Sequence, residues 1–182
     1  MTVVYVTASV LRETGRLLAS FAEGRDSEGV VYWFGLELEE RAVVTTMIVP
    51  DADAGTGAVQ TSASANAEAV GVVAGTPLVL LGQAHSHPSH HVGHPLDDLE
   101  TFAQFPGALS IVVPYYGRRG MELTSCGIHR HIGGMYRHIV GAHVHEHLRV
   151  LPSRVDLRDS HDAVGRPEAG SLKRLLLWLR GA

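Results

Sequence analysis

The segment GQAHSHPSHHVGHPLDD, residues 82–98 of a 182-residue chain, holds five histidines and two aspartates in seventeen positions. His85 and His87 stand one residue apart at the end of PLVLLGQAH, an apolar run with the length and content of a buried strand. Residues i and i+2 of a strand face the same side, so both imidazoles can converge on one ion. Pro88 then ends the strand, because it has no N–H for the ladder. A third ligand must come from another element, and Asp98, near the start of an expected helix, is within reach of a short loop. Two His and one carboxylate leave a fourth position for water, the pattern of a catalytic zinc site and not of a closed structural one. Such an ion brings the pKa of its water toward about 7 and polarises a carbonyl, so hydrolysis is the expected chemistry if a general base stands nearby. The competing reading is surface decoration, since a chain with twelve histidines will contain some His-x-His pairs by composition alone.

The elements that would position these residues are mixed. TVVYVT reads as a strand, and residues 8–24 as a helix with Val10, Leu11, Leu17, Leu18 and Phe21 at helical spacing and Gly24 as its stop. GVVYWFGLEL and RAVVTTMIVP read as consecutive strands joined near Glu39 and Glu40. Residues 51–64 are small and polar and read as a surface loop, residues 65–75 as a helix weakened by Gly71, and PLVLLGQAH as a central buried strand. LDDLETFAQF reads as a short helix; ALSIVVPYYG and MELTSCGIHRHI read as two more strands. The expectation is a single α/β domain over residues 1–150, a mixed sheet flanked by helices. Residues 151–182 follow as a polar linker and an amphipathic helix with Leu172, Leu175, Leu176 and Leu179 on one stripe. That stripe reads as a cover for the domain or, in the sharper reading, as a docking or dimerisation element.

Composition narrows the setting. A formal net charge of −4 without a basic stripe argues against nucleic acid as the partner. Cys126 is the sole cysteine, which rules out an intramolecular disulfide. The opening TVVYVTASVLRE has no basic leader, and no apolar run approaches the roughly 20 residues of a membrane span. A soluble cytoplasmic protein is expected.

The histidine segment resembles the JAMM signature of MPN-domain metalloproteases: His-x-His-Pro, six residues, Ser, two residues, Asp, with a distant upstream Glu. His85, His87 and Pro88 match its opening, and the count brings Asp98, not Asp97, to the third ligand. In the family the upstream Glu begins a strand with Gly seven residues later, and EGVVYWFG supplies Glu28 and Gly35. The resemblance spans roughly residues 1–148. It implies that His85, His87 and Asp98 hold Zn2+ and that Glu28 takes a proton from the attacking water and delivers it to the leaving amine. Glu37, Glu39 and Glu40 are alternatives for that role, in a context that looks like a solvated hairpin end. Position 95 departs from the pattern: Pro95 stands where the family has a Ser that helps stabilise the oxyanion, and the loss of one such donor costs about 10²–10³ in rate. Pro95 also suits the first turn of a helix, and Ser89 or His94 could donate instead.

The resemblance further implies a peptidase or isopeptidase that cuts after the C-terminal glycine of a ubiquitin-like protein. VGHPLDD looks most like JAMM proteins of bacterial operons that also encode ubiquitin-like, activating and conjugating proteins. Two alternatives stand beside it: a non-catalytic MPN scaffold, and the RadC branch, which shares His-x-His-Pro and is linked to DNA. Other histidines carry plainer expectations. His143, His145 and His147 would share one face of a strand, with a second metal site as the sharper reading. His90 and His91 would sit in a loop at the rim, and His129 and His131 would be half-exposed strand residues. Cys126 would be a small buried apolar residue and not a nucleophile.

Overall fold

The computed structural model describes residues 2–94 and 104–153. The expected ligand Asp98, Pro95, most of the helix expected over residues 96–105 and the C-terminal helix lie outside the described residues.

Strand β1 (Val3–Thr7) runs directly into α1 (Ala8–Phe21). Thr7 is extended, and its hydroxyl accepts from the Val10 amide, satisfying one of the N–H groups a helix start leaves unpaired. The helix ends three residues before Gly24, whose φ of 81° belongs to glycine. It buries Val10, Leu11, Thr14, Gly15 and Leu18 as one stripe. At Gly15 a Cβ would stand 3.0 Å from the amide nitrogen of Met121, so only glycine lets the two backbones meet there.

β2 (Val30–Leu38) and β3 (Arg41–Ile48) form the expected hairpin, with the turn at Glu39 and Glu40. The region read as a polar loop holds a second hairpin, β4 (Ala52–Ala54) and β5 (Val59–Thr61), closed by the Gly55 amide donating to the Ala58 carbonyl at 2.9 Å. Its strands are three residues each, too short to show an alternating pattern among small residues. Ser62 then caps α2 (Ala63–Val72), its hydroxyl accepting from the Ala65 amide. β6 (Val79–Ser86) is the buried strand, followed by β7 (Leu109–Val113), β8 (Gly127–Ile132) and β9 (Met135–Ile139). The strand expected from residue 121 begins only at Gly127, because residues 123–125 make a turn held by Ser125 and Glu122. Val144–His147 is a single helical turn, α3, and Leu148–Leu151 is β10.

The fold is mixed α/β. Eight strands form one mixed sheet in the order β10-β1-β3-β2-β6-β7-β8-β9, with β1 parallel to β10 and β3, and β6 parallel to β7. α1 covers one face. There Val31 and Trp33 of β2 pack with Leu11, Leu18, Leu109 and Ile111. α2 and the small hairpin cover the other face, where Val30, Tyr32 and Phe34 pack with Val59, Ala69 and Val73. Burial on both faces is why VVYWFG has no polar alternation. Among the described residues no helix is long and apolar enough to cross a membrane.

Candidate metal and catalytic site

His85, next to last in β6, is fully buried, and His87 follows the strand at 7% exposure. As the period-2 rule requires, both rings lie on one side, and their Nε2 atoms face each other at 3.2 Å. Two nitrogens bound to one tetrahedral zinc at about 2.05 Å stand about 3.3 Å apart, so the pair has the spacing of a shared zinc ion. The Nδ1–H of His87 donates to the carbonyl of His91 at 3.0 Å. That bond selects the tautomer with a lone pair on Nε2, the arrangement in which an outer acceptor orients a metal-binding imidazole. Four residues of loop, PSHH, are enough to bring the chain back for this contact. Pro88 ends the strand, and the Ser89 hydroxyl accepts from the His91 amide at 3.1 Å. The rings of His90 and His91 are exposed, as expected at a rim. The atom that matters is the main-chain carbonyl of His91, which no side-chain pattern reveals.

Glu28 is 3% exposed and lies just ahead of β2. β2 pairs antiparallel with β6, Val30 opposite His85. The same register runs on through the Ser86 amide donating to the Gly29 carbonyl at 3.0 Å and the Gly29 amide donating to the Ser86 hydroxyl at 2.9 Å. Glu28 therefore falls opposite His87, and opposed residues of an antiparallel pair share a face. The Glu28 amide donates to the carbonyl of Gly55 in the β4–β5 hairpin, 2.8 Å. Glu37, Glu39 and Glu40 are exposed at the far end of the β2–β3 hairpin, Glu37 being seven residues from Val30, or about 23 Å along a strand. They stand too far from His85 and His87 to act on the same water.

After β7 the chain turns through Tyr115 and Tyr116, both with left-handed φ (55° and 57°). Two consecutive bulky residues in that region are uncommon and are held here by the surrounding bonds. The Tyr116 amide donates to the His87 carbonyl at 2.7 Å, the Tyr115 amide to the Ser89 carbonyl at 3.1 Å, and the Tyr116 hydroxyl to the Thr56 carbonyl at 3.2 Å. Burial raises the Tyr116 phenol above its usual range, and the carboxylates of Asp26 and Glu28 add to the rise. The residue ties the His87 strand end to the hairpin that holds Glu28. Sequence reasoning read PYYG only as strand.

Behind the pair lies a second layer of imidazoles. His94 packs edge-on to His85, ring centroids 5.3 Å apart, and its Nε2 shares a hydrogen bond with the Ser110 hydroxyl at 2.8 Å. His129 and His131 are buried at 3% and 7%, not half-exposed, because the loop over residues 88–94 lies on one and Tyr136 covers the other. His129 donates through Nε2–H to the Val92 carbonyl at 2.9 Å and stacks on His138 at 4.7 Å. Gly127 lets this loop close: a Cβ there would be 2.0 Å from the Val92 carbonyl oxygen. His143, His145 and His147 do not line one strand face. His143 ends a 3-10 turn, the other two lie on α3, and His143 bonds Glu146 at 3.2 Å. Burial pushes the Cys126 thiol up to about 12, which leaves no thiolate for nucleophilic chemistry.

Among the described residues no group of three or more His, Cys, Asp or Glu side chains is arranged to hold a metal ion. The donor chemistry of His85 and His87 fits zinc, and the third ligand expected from the sequence, Asp98, lies outside the described residues.

No family model matches the chain, and no curated protein does. Solved structures are similar in fold. A protein from Desulfitobacterium hafniense aligns at TM-score 0.61 and 12% identity, over 89% of this chain and 99% of its own. A protein from Salinibacter ruber aligns at TM-score 0.51 and 16% identity, over 91% and 97%. A JAB1/MPN domain protein from Archaeoglobus fulgidus aligns at TM-score 0.44 and 15% identity, over 82% and 98%. For the first two, at these identities, the likeness concerns the fold alone.

Proposed function

We propose that the chain is a zinc-dependent peptidase or isopeptidase of the JAMM type. The observation that carries this reading is the His85–His87 pair, with Nε2 atoms 3.2 Å apart and the His87 Nδ1–H committed to the His91 carbonyl. His85, His87 and Asp98 would hold the ion. Zinc bound there acidifies water and polarises the scissile carbonyl. Glu28 accepts the proton of the attacking water at its carboxylate and passes it to the nitrogen of the leaving amine, the general base then serving as general acid. Burial opposite His87 keeps that carboxylate out of bulk water, and the Gly55 carbonyl fixes its main chain. Pro95 supplies no N–H to an oxyanion, so turnover is expected to be slow beside enzymes with Ser at that place.

The substrate class proposed is a ubiquitin-like protein cut after its C-terminal glycine, either as a precursor or as a conjugate. The activating and conjugating proteins of a bacterial operon would be functional partners, a cytoplasmic setting the place of action and a homodimer one arrangement. The VGHPLDD segment supports the operon partners and substrate class, and the stripe of Leu172, Leu175, Leu176 and Leu179 in the sequence supports the homodimer. A second reading, an MPN scaffold without turnover, is favoured by Pro95.

Elemental analysis of wild type and His87→Ala, together with cleavage of ubiquitin fused through its C-terminal glycine to a short tag, tests the reading. One zinc per chain, lost in His87→Ala, and cleavage lost in Glu28→Gln while zinc stays, is the expected result. Zinc without cleavage, unchanged on Pro95→Ser, would favour the scaffold. Absence of zinc would remove the hydrolase reading altogether.

A further inference from the structure

At the end of the sheet away from His85 and His87 there is a cavity of about 490 Å³. Val4, Leu80, Leu81 and Phe105 give it apolar walls, and β8 contributes Arg130 and His131. The sheet curls enough for Arg130 to reach β1: its Nη2 donates to the Thr2 carbonyl at 3.0 Å. Arg130 is 3% exposed, yet among the described residues its buried Nε and Nη1 groups meet no acceptor. Gly107 leaves room for the guanidinium; a Cβ there would stand 3.3 Å from Nη2. Burial lowers the pKa of Arg130, with Glu37 opposing, but a guanidinium stays charged at any ordinary pH. A buried cation with unmet donors is unfavourable unless an anion completes it. Glu37 lines the cavity, but its carboxylate is exposed and takes the Thr2 hydroxyl at 3.4 Å. The Nδ1 of His131, also buried, has no partner among the described residues either.

We propose that this cavity binds a small monocarboxylic acid with an apolar body. On binding, a shift of the Arg130 side chain turns its unmet N–H groups, closed to water in this structure, toward the carboxylate, and the hydrocarbon of the ligand rests on Val4, Leu81 and Phe105. One guanidinium balances one negative charge, and the Glu37 carboxylate at the same cavity repels a dianion such as a phosphate monoester. The volume suits a ligand of a dozen or so heavy atoms, within the roughly 300–1,000 Å³ of ordinary small-molecule sites. The site is independent of the zinc reading.

The test uses the full-length ¹⁵N-labelled protein titrated with 3-phenylpropionate and, in parallel, with its neutral amide, 3-phenylpropanamide. The acid is expected to shift the Arg130 Nε–H resonance and the amides of Gly107 and His131 saturably. The uncharged amide should bind about ten- to a hundredfold more weakly, the range of one charge-assisted hydrogen-bonded pair. Arg130→Met, which keeps the stem and removes the fork, should bring the acid down to the level of the amide. Equal binding of acid and amide, saturation that leaves Arg130 Nε–H unmoved, or undiminished acid binding by Arg130→Met would each overturn the proposal. If Arg130→Met does not fold, the first two comparisons on wild type decide it.

Discussion

The hydroxyl of Tyr116 donates to the carbonyl of Thr56 at 3.2 Å across a sequence separation of 60. The same tyrosine donates its amide to the His87 carbonyl, and the neighbouring Gly55 carbonyl receives the amide of Glu28. One side chain thus spaces the imidazole pair relative to the carboxylate. Tyr116→Phe removes only the hydroxyl. Its expected cost in stability is about 1 kcal/mol, that of one neutral hydrogen bond, read from urea unfolding. A misplaced carboxylate is costlier to chemistry than to folding, so kcat should fall about tenfold with zinc content unchanged. An unchanged kcat would show that Glu28 is held by other contacts.

The close approach of Gly127 to Val92 gives a second prediction. With a Cβ placed 2.0 Å from the Val92 carbonyl oxygen, Gly127→Ala must push the loop of residues 88–94 outward. The His87–His91 bond is then lost, and zinc affinity should drop about ten- to a hundredfold, measured by competition with a chelator. Gly133→Ala is the control. Gly133 has a φ of 63° in the β8–β9 turn with no atom of the described residues within 4 Å of an added Cβ, so it should cost about 1 kcal/mol of stability and leave zinc affinity alone. Equal zinc affinity in both variants would mean the loop does not depend on this contact.

Thr14 offers a packing test away from the site. The buried Trp33 indole N–H donates to the Thr14 hydroxyl at 3.0 Å. Thr14→Val keeps the shape and orphans the indole, at an expected cost of about 1–3 kcal/mol in chemical denaturation. Thr14→Ser, which retains an acceptor, should be the milder change. The reverse order would remove the hydrogen bond as the reason for a polar residue at this point of the core.

Acid stability follows from His129. Burial, only partly offset by its bond to the Val92 carbonyl, brings its pKa from an ordinary 6.5 down to about 4. The unfolded chain therefore binds more protons between these values, and stability falls as pH drops through the window from about 6.5 to 4. Above it the contribution is constant. His129→Gln retains an N–H for Val92 without a titrating proton and should flatten the decline by about 1–3 kcal/mol, followed by unfolding at pH 7 and pH 4.5. Parallel pH profiles for the two proteins would assign the decline to other groups.

Much of the frame was legible in the chain. GVVYWFGLEL announced a strand, and its second glycine has a reason: at Gly35 a Cβ would lie 1.9 Å from the Val43 carbonyl, beside a bulge in the β2–β3 ladder. The periodicity of α1, the β2–β3 hairpin and the strand that carries His85 also followed from local patterns. Less was visible where elements are short or polar. The β4–β5 hairpin, β9 and β10 have three to five residues each, too few for an alternating pattern to show, and β10 takes its neighbour from the distant β1. α3 has four residues, too few for any period to separate helix from strand.

At the site the division is similar. The sequence by itself determined that two imidazoles one residue apart would face the same way, since the strand period alone requires it, and it put Glu28 next to the start of a strand, which begins at Val30. Tertiary structure alone decided the partners: the His91 carbonyl on His87, Tyr116 on the Glu28 hairpin, and the burial of His129 and Arg130. Those contacts join main-chain atoms to side chains, over four residues for His87 and His91 and over sixty for Tyr116 and Thr56. Main-chain atoms are the same in every residue, and nothing in a residue's type records which of them the fold will bring near.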